Sequence, residues 1–145
     1  ILLTFGSYMR IGDSSIALGL AERAYSEALE YAKVRTFMNQ PLLNLQTVQH
    51  QFAQMKADLE MMRLAVYYVA EKISEGNMSA GLMTTITKLN VTEKANEICD
   101  QCLQLFGGYG YVKGNTIERL YRDVRAMTIT GGHSDKMKMI ISKFL

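Results

Sequence analysis

Apolar residues recur every three or four positions through three long stretches of this chain, the pattern of helices that bury one face. In the first stretch, from about Ile11 to Val34, that face carries Leu18, Ala21, Tyr25, Ala28 and Ala32. In the second, from about Gln46 to Glu75, Val48, Phe52, Met55, Leu59, Met62, Val66, Val69 and Ile73 alternate spacings of four and three without a break. A helix of about 30 residues is roughly 45 Å long, and only a long antiparallel bundle covers such a rod from end to end. The third stretch runs from about Ser79 to Leu105. Its apolar face, Leu82, Ile86 and Leu89 and then Ile98, Cys102 and Leu105, is interrupted by the polar run Thr92-Glu93-Lys94.

The breaks between these stretches fit the same picture. Glu75-Gly76-Asn77 is short enough to enforce an antiparallel neighbour. Asn39 and Pro41 interrupt the chain after the first helix. Beyond Leu105 come Gly107-Gly108-Tyr109-Gly110-Tyr111, a short helix over Thr116 to Met127, and Gly131-Gly132-His133-Ser134-Asp135. A closing helix follows with Met137, Ile140, Ile141 and Phe144 on its apolar side, and Ser134 or His133 is placed to cap it. No segment alternates like a strand for a useful length. The predicted fold is all-α: an antiparallel, up-down four-helix bundle with short additions.

Composition narrows the functional classes. The 145 residues suffice for one domain spanning 1–145, burying roughly 70% of its unfolded surface. The formal net charge is +2, with Lys and Arg scattered among acids and no basic stripe interleaved with aromatics, so nucleic acid is not an expected partner. No apolar run approaches the roughly 18 residues of a membrane span. Cys99 and Cys102 form a C-x-x-C inside a helical stretch with no second pair to complete a metal site, so buried, reduced cysteines are expected and no metal is. Reduced cysteines fit the cytosol or a mitochondrial matrix. The 10 methionines, several in the helical stripes, read as core filler. A chain opening on Ile1 and closing on Phe144-Leu145 has the ends expected of a C-terminal domain belonging to a longer protein.

Four strings go beyond a generic bundle: Leu18-Gly19-Leu20-Ala21; Tyr31-Ala32-Lys33-Val34-Arg35 with Gln46 eleven residues on; Gln104-Leu105-Phe106-Gly107-Gly108-Tyr109-Gly110-Tyr111; and Arg119-Leu120-Tyr121-Arg122-Asp123. In this order and at these separations, they resemble the C-terminal domain of the acyl-CoA dehydrogenase family, over essentially the whole chain. The resemblance implies FAD as cofactor, an acyl-CoA substrate for the full-length protein, and a homo-oligomer, dimer or tetramer, with this domain at its centre. It implies that Arg35 reaches the pyrophosphate of a neighbouring subunit's FAD, a task suited to the planar guanidinium fork; without it, Arg35 reads as a solvated arginine at a helix end. Gln46 matches a residue near the same cofactor. Gln104, Gly107 and Gly108 match a turn that contacts the neighbour's FAD, where glycine lets backbone N–H groups come close. His133 stands where the family has a threonine beside FAD, with Asp135 shortly after it. Arg10 and Gly132 fall at substrate-side positions. Arg122-Asp123 reads as a structural ion pair. Met38-Asn39 departs from the family's Phe-Gly.

The resemblance also exposes a gap. The family removes the α proton of an acyl-CoA with a carboxylate while the β hydrogen leaves as hydride to the flavin. That carboxylate usually precedes the closing helix, where this chain has Gly131, and in a minority it sits near the start of the first helix, where this chain has Met9. Neither is acidic, and no catalytic residue is assigned. Three explanations stay open: a base upstream of this chain, a silent homologue or partner subunit, or different flavin chemistry such as oxygenation. The domain alone is expected to turn nothing over and to hold FAD weakly.

Overall fold

A computed structural model describes residues 2–77 and 80–145. Its helices are α1 (Leu2–Val34), α2 (Gln46–Ser74), α3 (Ala80–Phe106), α4 (Gly108–Tyr111), α5 (Thr116–Met127) and α6 (Ser134–Ser142). The fold is the expected all-α bundle. Its organising feature is the pair α1 and α3, which run parallel: Arg10 meets Thr85 at one end and Tyr31 stacks on Phe106 at the other. The pair packs closely because α1 presents Ala17, Ala21, Ala24, Ala28 and Ala32, all fully buried, and small side chains shorten the distance between helix axes.

On one side of this pair lies α2, antiparallel to both. All seven buried residues of α2, Val48 to Val69, belong to the expected stripe. Arg63 ties it to α1 by bonding both Glu60 and Glu22, and Lys94 of α3 reaches Asp58 at 3.8 Å. On the other side lies α5, the fourth and shortest member, with Ile117, Leu120 and Val124 buried. Asn115 caps it by accepting from Ile117 N–H at 3.2 Å, and Asn96 of α3 donates to Val124 O at 3.2 Å. Met137 anchors α6 in the remaining gap. Among the described residues, no helix is long and apolar enough to cross a membrane.

Four expectations need correction. Helix α1 begins at Leu2 instead of about Ile11; Gly6 and Gly12 weaken the helical pattern there, and tertiary bonds such as Arg10 to Thr85 sustain it. A minimal hairpin, β1 (Thr36–Phe37) against β2 (Gln40–Pro41), follows α1. Its two-residue turn holds Met38 and Asn39 at φ 50° and 62°, the geometry of a primed turn, in strands too short to show alternation. Arg122 pairs with Glu118, one turn away at 3.8 Å, and not with Asp123, because neighbours in a helix point apart. Phe144 lies beyond the end of α6 and is exposed.

A fifth difference bears on function. In the first half of α3 most of the buried residues are polar, Thr84, Thr85, Thr87, Lys88 and Thr92 beside only Ala80 and Val91, while Ile86 is exposed and Leu82 and Leu89 are half-buried. Three of the threonines donate within the helix: Thr84 and Thr85 to Gly81 O and Thr92 to Lys88 O. Beyond Val91 the burial reverts to Ala95, Ile98, Cys99, Cys102 and Phe106. Cys99 and Cys102 are buried and free, as expected. Burial pushes the Cys99 thiol up to about 12 and raises that of Cys102, so neither is a nucleophile.

Candidate functional site

The expected site residues gather at the two ends of the α1–α3 pair. At the end where both helices stop, a cleft of about 710 Å³ is lined by Tyr31, Arg35, Gln104, Gly107, Gly108 and Tyr109, among others. The sequence dictates this mouth. The N–H of Arg35 still bonds Tyr31 O at 2.8 Å, but its C=O turns away to accept from Leu42 N–H at 2.8 Å, so α1 ends and the exposed side chain of Arg35 stands at the rim. Opposite, α3 ends on Gly107 at φ 59°, a conformation that strongly favours glycine, with open space where a side chain would project. Gly110 is fixed by packing, since a Cβ there would come within 2.7 Å of Phe106 Cβ. Tyr31, Phe106 and Tyr109 stack into a wall, the first two with centroids 4.2 Å apart and planes 13° apart. Gln46 opens α2, exposed, and does not line the cleft.

At the other end, roughly 30 Å away along α1 at 1.5 Å per residue, the loop before α6 closes over the starts of α1 and α3. Gly131 and Gly132 adopt φ 64° and 113°. His133 caps α6, its Nδ1 accepting from Lys136 N–H at 3.4 Å, and exposed Asp135 in the first turn pairs with Lys138 at 3.3 Å. Met9 is exposed on α1. Beneath the loop lies a polar cluster of which the sequence pointed only to Arg10. Lys88, fully buried, donates to Gly132 O at 2.7 Å. Glu93 accepts from the Ser134 hydroxyl. Arg10 donates through Nη1 to Thr85 Oγ1 at 3.0 Å.

The fourth member is Asp13, one turn beyond Arg10 on α1. A Cβ built on Gly131 would overlap Asp13 Oδ2 and lie 3.3 Å from its Cγ. The Asp13 carboxyl therefore fills the space that a side chain at position 131 would need. Two buried atoms here, Asp13 Oδ2 and Arg10 Nε, have no hydrogen-bond partner. Burial raises the Asp13 carboxyl above its ordinary value, against the opposing pull of Lys88 and the Thr130 hydroxyl. Burial likewise lowers Lys88, with Asp13 and Glu93 opposing. The available signal was indirect: an aspartate inside a helix, and a glycine where the family has an acid.

The chain as a whole matches a known family. Residues 3–145 fit the family model described as acyl-CoA dehydrogenase, C-terminal domain. The chain belongs to the acyl-CoA dehydrogenase family. A 3-(aryl)acrylate reductase of Clostridium sporogenes is 40% identical over 136 residues, 94% of this chain and 36% of that protein. The caffeyl-CoA reductase-Etf complex subunit CarC of Acetobacterium woodii is 36% identical over the same shares. The structure of butyryl-CoA dehydrogenase from Megasphaera elsdenii superposes with a TM-score of 0.94 at 31% identity, covering 98% of this chain and 37% of that one. The chain thus spans about a third of the length of the relatives it matches. It corresponds to the C-terminal domain of that family, and the family is one of flavoproteins.

Proposed function

We propose that this domain is part of a longer, FAD-dependent oxidoreductase that interconverts saturated and α,β-unsaturated acyl-CoA thioesters, and that it serves two flavins in a homo-oligomer. The observation that carries this reading is the cleft that gathers Arg35, Gln104, Gly107 and Gly108 far from the Arg10–Gly131 end. The residues fit the cofactor: a guanidinium stands at the rim for a pyrophosphate, and a glycine turn leaves room beside its backbone. Bound flavin supplies the two-electron acceptor or donor for the β carbon. The chain's own part is to bind, orient and exclude water. Arg35 holds negative charge from a neighbour's cofactor, and the aromatic wall dries the cleft. Arg10 Nε, lacking a partner, offers a donor to a polar group of the substrate. His133 and Asp135 fix the start of α6 at the cofactor's edge, and Gly132, where a Cβ would meet Met137, lets the loop pack on α6 beside the substrate.

The test uses the full-length protein. It should purify yellow and oligomeric, bleach when an acyl-CoA is added without oxygen, and lose flavin at least tenfold more readily as Arg35→Ala. A colourless protein contradicts the reading. Flavin that no acyl-CoA bleaches indicates a silent homologue or an oxygenating relative.

A further inference from the structure

Position 131 carries no acid, yet a carboxyl group occupies its side-chain space. We propose that Asp13 is the catalytic carboxylate of this protein, exchanging the proton at the α carbon of the thioester. The inference rests on the function proposed above and names the residue that performs its proton transfer.

Three observations carry it. First, the overlap between a Cβ on Gly131 and Asp13 Oδ2 makes two arrangements compete for one space: an acid projecting from the loop, or an acid projecting from α1 beneath a glycine. The chain has the second. Gly131, at φ 64°, is the residue that leaves Asp13 room.

Second, Oδ2 is buried and has no hydrogen-bond partner. Carboxylates retained for structure are normally satisfied, as Glu93 is by Ser134, because an unmet buried acceptor costs about 1–3 kcal/mol. Lys88 attracts the Asp13 carboxyl, but among the described residues no salt bridge joins the two, and Lys88 donates to Gly132 O. One turn earlier on the same face, Arg10 Nε is an unmet donor. Two unmet buried polar atoms one turn apart on α1 are what a site shows when a ligand completes it.

Third, the surroundings push the carboxyl in the useful direction. The groups that act on it are Lys88 on α3 and Thr130 on the loop, both of which oppose burial. Their net effect with burial is a raised affinity for the proton, which a group that alternately accepts and donates near neutrality requires.

The step balances. In dehydrogenation the carboxylate takes the α proton as that C–H bond breaks, and its electron pair becomes the C=C π bond. Hydride leaves the β carbon for the oxidised flavin, the oxidant this function requires. In reduction, protonated Asp13 returns its proton to the α carbon as the reduced flavin's hydride arrives at the β carbon.

The experiment uses full-length, flavin-loaded protein, mixed anaerobically with butyryl-CoA or 3-phenylpropanoyl-CoA while flavin absorbance is followed. Asp13→Asn should keep its flavin and slow bleaching by about 10²–10⁴-fold. Asp13→Ala combined with Gly131→Glu, which moves the acid to the loop, should recover at least tenfold over Asp13→Ala alone. Independently of turnover, the ¹³C resonance of the Asp13 carboxyl in the unreacted protein should titrate above the ordinary aspartate range. Bleaching of Asp13→Asn at the wild-type rate, or an ordinary titration, overturns the assignment while leaving the flavoprotein reading intact. A wild type that holds no flavin, or that neither thioester bleaches, overturns both.

Discussion

The two ends of the α1–α3 seam are built from the same pair of helices by different chemistry. Toward the helix C-termini, alanines from α1 meet Ile98, Cys99, Cys102 and Phe106, and the interior is held by apolar contact. Toward the N-termini, the same two helices enclose Arg10, Asp13, Ser14, Thr85 and Lys88. An apolar interior loses stability in proportion to the volume removed. A polar interior is governed by whether each group finds a partner, and here two atoms do not. The contrast makes the apolar interior beneath the Arg35 cleft a matter of volume and the polar interior beneath Gly131 a matter of partners, and functional sites repeatedly lie where local rules are broken.

Three changes sharpen or break this contrast. The largest effect should come from the apolar end: Ile98→Ala, at a site 1% exposed, should cost about 3 kcal/mol in urea unfolding, and a loss below about 1 kcal/mol would deny that this end holds the fold. Next is Gly131→Ala. It forces a side chain into a left-handed conformation and onto Asp13, and should cost about 1–3 kcal/mol. Adding Asp13→Ala should return about 1 kcal/mol of that by removing the overlap; strict additivity would show that the two positions do not share space.

The smallest effect is in pH dependence. Burial holds Asp13 above its unfolded value, so its contribution to stability is complete below that value, about pH 4, and is lost as pH rises through the raised folded value. Thermal melts should therefore show wild type falling relative to Asp13→Asn across that window and running parallel to it above. A gap of the opposite sign would mean that Lys88 and Thr130 outweigh desolvation.

The same contrast explains what the sequence made legible. Periodicity finds apolar burial, so the α2 stripe from Val48 to Val69 and the bounds of α5 at Thr116 and Met127 could be read directly. The first half of α3 could not. Three of its threonines bond their own backbone and its lysine bonds a loop 44 residues away, so Leu82, Ile86 and Leu89 were mistaken for the inward face. Arg35, Gln104, Gly107 and Gly108 were found through motifs, and they line one cleft; Gln46, found the same way, does not line it. Asp13 was missed because its importance lies in its contact with position 131, more than a hundred residues along the chain.

Helix α1 also acts as a protractor. Arg10 and Asp13 lie near its start and Arg35 just past its end, about seven turns from Arg10 at 3.6 residues per turn. Inserting or deleting one residue between them would rotate one group by about 100° relative to the other. Such a change could leave each local site chemically complete and still stop the assembled protein from using both together. Indels in the middle of α1, remote from Arg10, Asp13 and Arg35, should therefore be less tolerated than substitutions there.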